Sequence, residues 1–206
     1  VFIANPNNPT GTWFGKQALG DFLAAVPENV LVVLDEAYIE YADGDELPDG
    51  LDYLADHPNL LVSRTFSKAY GLASLRVGYG LSRPDVADVL NRVRQPFNVN
   101  SFALAAACAA FDDTEYLARS REINTAGMLQ LQEGCRELGL SWIPSKANFL
   151  AIDFGRDTAA INQGLLREGV IVRPVAGYGM PNHLRVSIGL PAENARFLEA
   201  LRKVLN

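Results

Sequence analysis

The sequence is poor in the residues that bind metals or form disulfide bridges. Its 206 residues include two cysteines, Cys108 and Cys135, and two histidines, His57 and His183. The cysteines lack CxxC spacing, and no acidic cluster stands at ligand spacing around either histidine. These patterns argue against a disulfide, a redox motif and a structural zinc site. We therefore expect two reduced thiols, as in a cytoplasmic protein, and no bound metal.

Long apolar runs and an excess of basic residues are also missing. No stretch approaches the roughly 20 apolar residues of a transmembrane helix, and no signal-peptide pattern is present. Lysine and arginine number 18 against 24 acidic residues, so the formal net charge is −6. An acidic chain without a basic run is a poor candidate for binding nucleic acid or an anionic membrane. The composition is ordinary for a soluble globular protein.

The order of apolar segments predicts an α/β fold with a second, smaller domain. In the first half, strands are predicted at 1–4, 30–34, 60–65 and 77–81, with a helix at 16–25. The continuous β-branched run at 30–34 is typical of a strand that is covered on both faces, as in a largely parallel sheet.

An Ala-rich helical region, from about 101 to 138 with breaks, connects this half to a small α+β unit. Strands there are predicted at 149–153, 170–173 and 184–188, and helices at about 158–168 and 192–205. We expect residues 1–113 to form part of a large domain and residues 114–206 to form the small one. Because the chain opens inside a strand without an initiator Met, we interpret it as N-terminally incomplete.

Lys68 is the centre of the predicted site. It follows the run 60–65, with Thr65 and Ser67 three and one residues before it and Arg76 eight residues after it. Ligands of α/β proteins bind at the carboxyl ends of strands, and two hydroxyls with a guanidinium can hold a phosphate. An amine placed there can form an imine. Taken alone, the segment is equally consistent with a surface loop.

Two further strand ends carry polar groups. Asp35 ends the run 30–34, where an unpaired carboxylate would be costly, so we expect a cationic partner such as a protonated pyridine nitrogen. Asn8, in the turn after the first strand, can donate a hydrogen bond to a cofactor oxygen. Each alone is consistent with a turn or cap residue. Because the ends of parallel strands gather at one sheet edge, Asn8, Asp35 and Lys68 together predict a cofactor site.

With these residues, the sequence resembles the class I/II aminotransferases of fold type I, and most closely the histidinol-phosphate aminotransferases. Four segments carry the resemblance: NPNNPTG at 5–11, DEAY at 35–38, SKAYG with the following LR at 67–76, and LRVSIG at 184–189. The resemblance implies part of the large, mostly parallel sheet domain plus a small C-terminal α+β domain. It also implies pyridoxal 5′-phosphate as cofactor, a homodimer in the full-length protein, and histidine biosynthesis as the pathway.

The resemblance gives each matching residue a role toward the cofactor. Lys68 is the expected Schiff-base lysine and proton carrier, and Asp35 is expected to keep the pyridine nitrogen protonated. Asn8 and Tyr38 are expected to hydrogen-bond the phenolic oxygen. Three residues are expected to bind the cofactor phosphate: Thr65, Ser67 and Arg76. Thr65 stands where many relatives have serine, which keeps the hydroxyl.

Substrate binding is assigned to residues near the C-terminus. Arg185 and Arg173 match arginines that bind anionic groups, which suits a substrate phosphate and the carboxylates of glutamate. The alternative for Arg173 is a surface charge at a strand edge. Asn148 matches a position near the substrate pocket. The expected reaction is amino transfer between L-histidinol phosphate and 2-oxoglutarate, giving imidazole acetol phosphate and L-glutamate.

Three alternatives remain open at this stage. Within the fold, the same segments suit an aromatic amino-acid aminotransferase or a threonine-phosphate decarboxylase. The third is a non-catalytic fragment, since the family's N-terminal part has no counterpart here. That part supplies the aromatic ring that stacks on the pyridine and a tyrosine from the partner subunit. We therefore expect the 206-residue chain alone to bind the cofactor weakly, if at all, and not to transaminate.

Overall fold

A computed structural model describes residues 1–42, 44 and 47–205, which form two compact units. The first unit comprises Val1–Pro6 and Trp13–Ser120, and the second comprises Asn7–Thr12 and Arg121–Asn206. The domain boundary expected between residues 113 and 114 stays a prediction.

The first unit is built on a four-stranded sheet. Its strands are β1 (Phe2–Ala4), β2 (Val32–Asp35), β3 (Leu60–Thr65) and β4 (Gly78–Ser82), in that spatial order. The pairs β1–β2 and β2–β3 are parallel, whereas β4 runs antiparallel to β3. The carboxyl ends of β1, β2 and β3 therefore lie at the same edge of the sheet.

Helix α1 (Lys16–Ala25) covers one face of this sheet, as its pattern predicts. Leu19 and Leu23, one turn apart on the helix, are its two buried residues. They pack on the strand residues that share one side of the pleat: Val32, Leu34, Leu60 and Val62.

Two helices follow β4. Helix α2 (Pro84–Val93) begins with a proline in its first turn, and α3 (Ser101–Asp112) is capped by Asn100, whose side chain accepts a hydrogen bond from the Ala103 amide. Proline in a first helical turn and asparagine at an N-cap are both common at helix starts. Helix α3 packs its small residues on Phe66, whereas α2 has no buried residue.

The second unit contains an antiparallel sheet and three helices. Its strands are β5 (Ser141–Ile143), β6 (Phe149–Asp153), β7 (Arg173–Pro174) and β8 (His183–Ser187), in the spatial order β5–β6–β8–β7. The helices are α5 (Ala159–Arg167), α6 (Pro191–Leu205) and the larger part of α4 (Thr114–Glu137), whose residues up to Ser120 belong to the first unit. Leu150, Ile152, Leu184 and Val186 form the strand side of its core. The described residues of the two units also include four short 3₁₀ turns: Ile39–Tyr41, Gly50–Tyr53 and Ala73–Leu75 in the first unit, and Ala176–Tyr178 in the second.

Three details of the predicted elements were wrong. The strand expected at 170–173 is reduced to Arg173–Pro174, because the Val170 amide donates to the Leu165 carbonyl in the turn that ends α5. Strand β2 starts two residues late, because the Val30 amide donates to the Pro27 carbonyl. Strand β5 was not predicted.

In the part of the chain that the structure describes, no helix has both the length and the apolar character needed to cross a membrane. The same described residues contain no group of three or more His, Cys, Asp or Glu side chains placed to hold a metal ion.

Candidate active site

Asp35 lies at the carboxyl end of β2, beside Ser63 of β3 in the parallel register. Its side chain is exposed, and its Oδ1 accepts a hydrogen bond from the Ala37 amide at 3.1 Å. The expectation that burial forces Asp35 to take a cationic partner is therefore wrong. Its candidate role rests on its position at the sheet edge alone.

Lys68 sits in a tight turn after β3. The Ser67 amide donates to Thr65 Oγ1 at 3.1 Å, and the Gly71 amide donates to the Lys68 carbonyl at 2.9 Å, which fixes the turn on both sides of the lysine. The Lys68 ammonium is exposed and lies 5.6 Å from the centre of the Tyr38 ring. Among the described residues it pairs with no carboxylate, so an aldehyde can approach the amine without breaking an ion pair.

Arg76 has a left-handed backbone conformation, with φ 55° and ψ 51°. Such a conformation costs a non-glycine residue about 1–3 kcal/mol and is found where the surroundings impose it. Nη1 donates to the Ala73 carbonyl at 2.9 Å and to Ser67 Oγ at 3.4 Å. The guanidinium therefore stands next to a hydroxyl of the Lys68 turn, which is an arrangement that suits a phosphate.

Aromatic side chains pack around Phe66 at the start of the Lys68 turn, and the sequence interpretation missed them. The ring of Phe66 is buried and contacts the rings of Tyr70, Tyr79 and Phe111, with centroids 5.0, 5.5 and 4.8 Å away. The two aromatic residues Phe66 and Tyr70, four positions apart, were the available signal. Without the fold, this spacing does not distinguish residues that support a site from ordinary core residues.

An ion pair between the buried Glu36 and the partly buried Arg64, also missed, lies on the opposite face of β2 and β3 from Asp35 and Thr65. Nε and Nη2 of Arg64 donate to Glu36 Oε2 at 2.9 and 2.7 Å, and Nη2 also donates to Asp49 Oδ1 at 2.7 Å. The Gly50 amide donates to Glu36 Oε1 at 2.7 Å. Burial raises the pKa of Glu36, against the lowering effect of Arg64, while the two carboxylates raise the pKa of Arg64 despite its burial. Three N–H groups therefore donate to the Glu36 carboxyl group, two from Arg64 and one from Gly50.

In the second unit, two arginines lie side by side on one face of the sheet. Arg173 of β7 is directly opposite Arg185 of β8. The Arg185 guanidinium stacks over the Phe149 ring, 4.9 Å from its centre, and Nη1 donates to Asn8 Oδ1. Its buried Nε has no hydrogen-bond partner among the described residues. An unused buried donor beside a second arginine is typical of an anion-binding site.

A cleft of 760 Å³ opens beside these arginines. Its walls are residues 169–173, residues 185–189 and the first turns of α6. Asn148 immediately precedes β6, and its carbonyl accepts a hydrogen bond from the Ile188 amide at 2.9 Å. That backbone contact ties Asn148 to the end of β8, close in sequence to Arg185.

The predicted site residues are divided between the two units. The first unit holds Asp35, Tyr38, Thr65, Ser67, Lys68 and Arg76, and the second holds Asn8, Asn148, Arg173 and Arg185. Within each unit the structure brings the predicted groups together as described above. The individual roles stay predictions.

The model of the family "aminotransferase class I and II" matches residues 1–201. The chain belongs to this family. Two relatives are named histidinol-phosphate aminotransferase 2: the protein from Pseudomonas fluorescens Pf0-1 is 80% identical over 205 residues, and that from Pseudomonas aeruginosa PAO1 is 78% identical. All of this chain is covered, but it spans only 55% and 56% of their lengths.

Solved structures agree with this aminotransferase fold. The histidinol-phosphate aminotransferase from Sinorhizobium meliloti, solved in complex with pyridoxal-5′-phosphate, superposes with a TM-score of 0.92 at 37% identity. It covers all of this chain, which corresponds to 57% of that protein. The predicted fold type I, with a parallel-rich sheet and a second α+β unit, is confirmed.

Proposed function

We propose that this chain carries the lysine-bearing part of a pyridoxal-phosphate-dependent histidinol-phosphate aminotransferase of histidine biosynthesis. The observation that carries the proposal is the arrangement at the ends of β2 and β3. There an exposed lysine amine, a carboxylate, two hydroxyls and a guanidinium are all supplied by three short segments of one sheet edge. The names and identities of the Pseudomonas relatives support the choice of substrate.

The donor set of the first unit fits pyridoxal phosphate. The group needs an amine for its aldehyde, an anion beside its ring nitrogen and several donors for its phosphate. Lys68 and Asp35 meet the first two needs. The third is met by Arg76, whose guanidinium already reaches Ser67 Oγ, together with Thr65.

When bound, the cofactor supplies an electron sink for the electron pair left after the amino substrate loses its α-proton. Lys68 would accept that proton at Nζ and pass it to the cofactor carbon within the same half of amino transfer. Asp35 holds a proton on the ring nitrogen by charge attraction. Tyr38, whose ring lies beside the Lys68 ammonium, and Asn8 are the proposed donors to the ring hydroxyl oxygen.

Substrate recognition is proposed for the second unit. Arg173 and Arg185 present two positive charges on one sheet face, which suits a phosphate and a carboxylate bound in turn at the same place. Asn148 is included as a lesser contributor. Histidinol phosphate carries a phosphate and glutamate carries carboxylates, so the same arginines can serve both halves of the reaction.

A homodimer in the cytoplasm belongs to the same proposal. Helix α2, the segment after it and the start of α3 expose apolar side chains, among them Val93 at 74%, Phe97 at 97% and Phe102 at 82% exposure. A second copy of the chain that covers them would remove a large apolar surface from water. We expect Phe97→Asp to shift sedimentation toward the monomer and Phe97→Leu not to. A monomeric unsubstituted protein would contradict the dimer.

The lysine assignment is tested by reductive labelling. The chain is mixed with excess pyridoxal phosphate, reduced with borohydride and digested, and the label is located by mass spectrometry. We expect it on Lys68. Lys68→Arg, which keeps the charge but forms no imine, should abolish labelling, whereas Lys16→Ala should not. A label on Lys16 or Lys146 instead would refute the assignment.

The substrate assignment needs an active enzyme. A suitable one is a hybrid in which this chain replaces the matching segment of the Pseudomonas fluorescens relative, which is 80% identical. Arg173→Ala is expected to raise KM for histidinol phosphate more than KM for phenylalanine, and Arg185→Ala is expected to raise KM for glutamate as well. An unchanged preference between histidinol phosphate and phenylalanine in Arg173→Ala would favour the aromatic aminotransferase alternative.

A further inference from the structure

The ion pair of Glu36 and Arg64 occupies an unusual place relative to the candidate site. Side chains alternate between the two faces of a strand, so Glu36 follows Asp35 on the opposite face. Arg64 precedes Thr65 in the same way. The pair therefore lies directly behind the carboxylate and the hydroxyl that face the proposed cofactor.

The backbone joins the pair to the site residues. The Glu36 amide donates to the Ser63 carbonyl at 2.9 Å, which is the last link of β2 to β3 before the strands end. Beyond this link, the Phe66 amide donates to the Val77 carbonyl at 3.2 Å at the start of the Lys68 turn. Movement between Glu36 and Arg64 would thus change the separation of Asp35 from that turn.

The backbone at Gly50 approaches the Glu36–Arg64 ion pair closely. A Cβ added to Gly50 would lie 2.7 Å from Val62 Cγ2, 2.8 Å from Leu34 Cδ2 and 2.9 Å from Glu36 Oε1. Only glycine lets the backbone come this near, and its amide then completes the carboxylate's hydrogen bonds. The Glu36 side chain is 1% exposed, so solvent screening is small.

We propose that Glu36 and Arg64 are positioning residues that fix the ends of β2 and β3, and with them the separation of Asp35 from the Thr65–Lys68 turn. They touch neither substrate nor cofactor. This role rests on the proposed function, since it matters only if Asp35 and Lys68 serve one ligand. A simpler role in overall stability predicts no selective effect at the strand ends.

The test compares Glu36→Gln with a control of similar stability in the 206-residue chain. Glu36→Gln keeps the shape of the side chain but removes the charge that binds Arg64. Val32→Ala truncates a buried side chain on the same face of β2, at its other end. Urea unfolding measures the free energy of unfolding of Glu36→Gln and of Val32→Ala. If Val32→Ala destabilises the chain less than Glu36→Gln does, Leu34→Ala is used as the control instead.

Hydrogen exchange followed by NMR gives the first readout. In Glu36→Gln we expect the Glu36 and Phe66 amides to exchange about tenfold faster or more, while the Val32 amide, bonded to the Asn59 carbonyl at 2.8 Å, keeps its protection. The truncation control should change all three in parallel with its stability. Parallel changes in Glu36→Gln as well would overturn the proposal. Arg64→Lys, which keeps the charge, should restore part of the protection lost in Arg64→Met, and equal losses in both would also count against it.

Reductive labelling by pyridoxal phosphate gives the second readout. The rate of label appearance on Lys68 at fixed cofactor should fall in Glu36→Gln but not in the truncation control. Equal rates in the two variants would overturn the positioning role. If Lys68 is not labelled in the hybrid enzyme either, the proposed function fails, and hydrogen exchange still decides whether the pair fixes the strand ends.

Discussion

Arg173 and Arg185 oppose each other on adjacent strands, so removing one charge should stabilise the protein when no anion is present. Cβ atoms of directly opposed residues are about 4.5–5.5 Å apart. With the guanidinium charges about 7 Å apart and an effective dielectric constant between about 20 and 80, their repulsion is about 0.6 to 2.4 kcal/mol. Salt and side-chain motion reduce it, so we expect Arg173→Gln to gain about 1 kcal/mol.

The matched control is Arg156→Gln. Arg156 is exposed in the turn after β6, so its replacement by glutamine removes the same unit of charge at a place away from Arg173 and Arg185. Because the chain is already acidic, with a net charge of −6, loss of a positive charge there should be neutral or slightly unfavourable. The difference between the two variants therefore isolates the local repulsion from the effect of net charge.

Inorganic phosphate should reverse the order of stability, so that the unsubstituted chain becomes more stable than Arg173→Gln. A ligand at about ten times its Kd stabilises the native state by about 1.4 kcal/mol, and this gain should appear in the unsubstituted chain and in Arg156→Gln but not in Arg173→Gln. Urea unfolding with and without phosphate, at constant ionic strength, measures both effects. If Arg173→Gln and Arg156→Gln behave alike under both conditions, the two arginines do not form an anion site.

Three further predictions follow from single residues. Asp35→Ala in the hybrid enzyme should raise the barrier to amino transfer by about 3 kcal/mol, as for loss of a key electrostatic group, and Asp35→Glu should retain more activity; wild-type kcat in Asp35→Ala would remove it from the mechanism. Burial raises the pKa of the Cys135 thiol from 9.0 to about 11, so the native state keeps a proton that the unfolded state loses. The free energy of unfolding should therefore be unaffected below about pH 9 and fall by about 2–3 kcal/mol as pH rises to 11, a decline that Cys135→Ala should lack in urea titrations. Gly50→Ala should destabilise the chain by about 1–3 kcal/mol through crowding, whereas Gly177→Ala, where a Cβ meets nothing within 4 Å, should not; equal midpoints in urea would contradict the close approach at Gly50.

Local sequence signals predicted the elements whose hydrogen bonds and buried faces are determined locally. Helix α1 and strands β3 and β6 have the expected bounds, because an i, i+4 leucine pair or a continuous apolar run is enough to define them. The edge strand β7 was overestimated, because 170–172 are as apolar as a strand but are drawn into the turn after α5. Apolar character shows that a segment is partly covered, and it does not say by which neighbour.

For the candidate site, too, the sequence predicted the contacts between residues close in the chain and missed those between distant ones. Lys68, Thr65, Ser67 and Arg76 are close in sequence, so their proximity in space needed little knowledge of the fold. Glu36 and Arg64 were missed because they are 28 residues apart, and their pairing depends on the register of β2 with β3. The left-handed backbone of Arg76 was equally invisible, since nothing in its neighbours' identities requires it.

The alternation of Asp35 and Glu36 has a consequence for the comparison of distant relatives. The two neighbours are both acidic, yet one faces the candidate site and the other faces the partly buried Arg64. A one-residue insertion or deletion within β2 would exchange them without changing the charge or the apparent motif. When a distant homologue shows a gap in this strand, its equivalents of Asp35 and Glu36 should therefore be identified by their contacts with β3. The acidic residue that pairs with the equivalent of Arg64 corresponds to Glu36. The acidic residue next to it corresponds to Asp35 and faces the site.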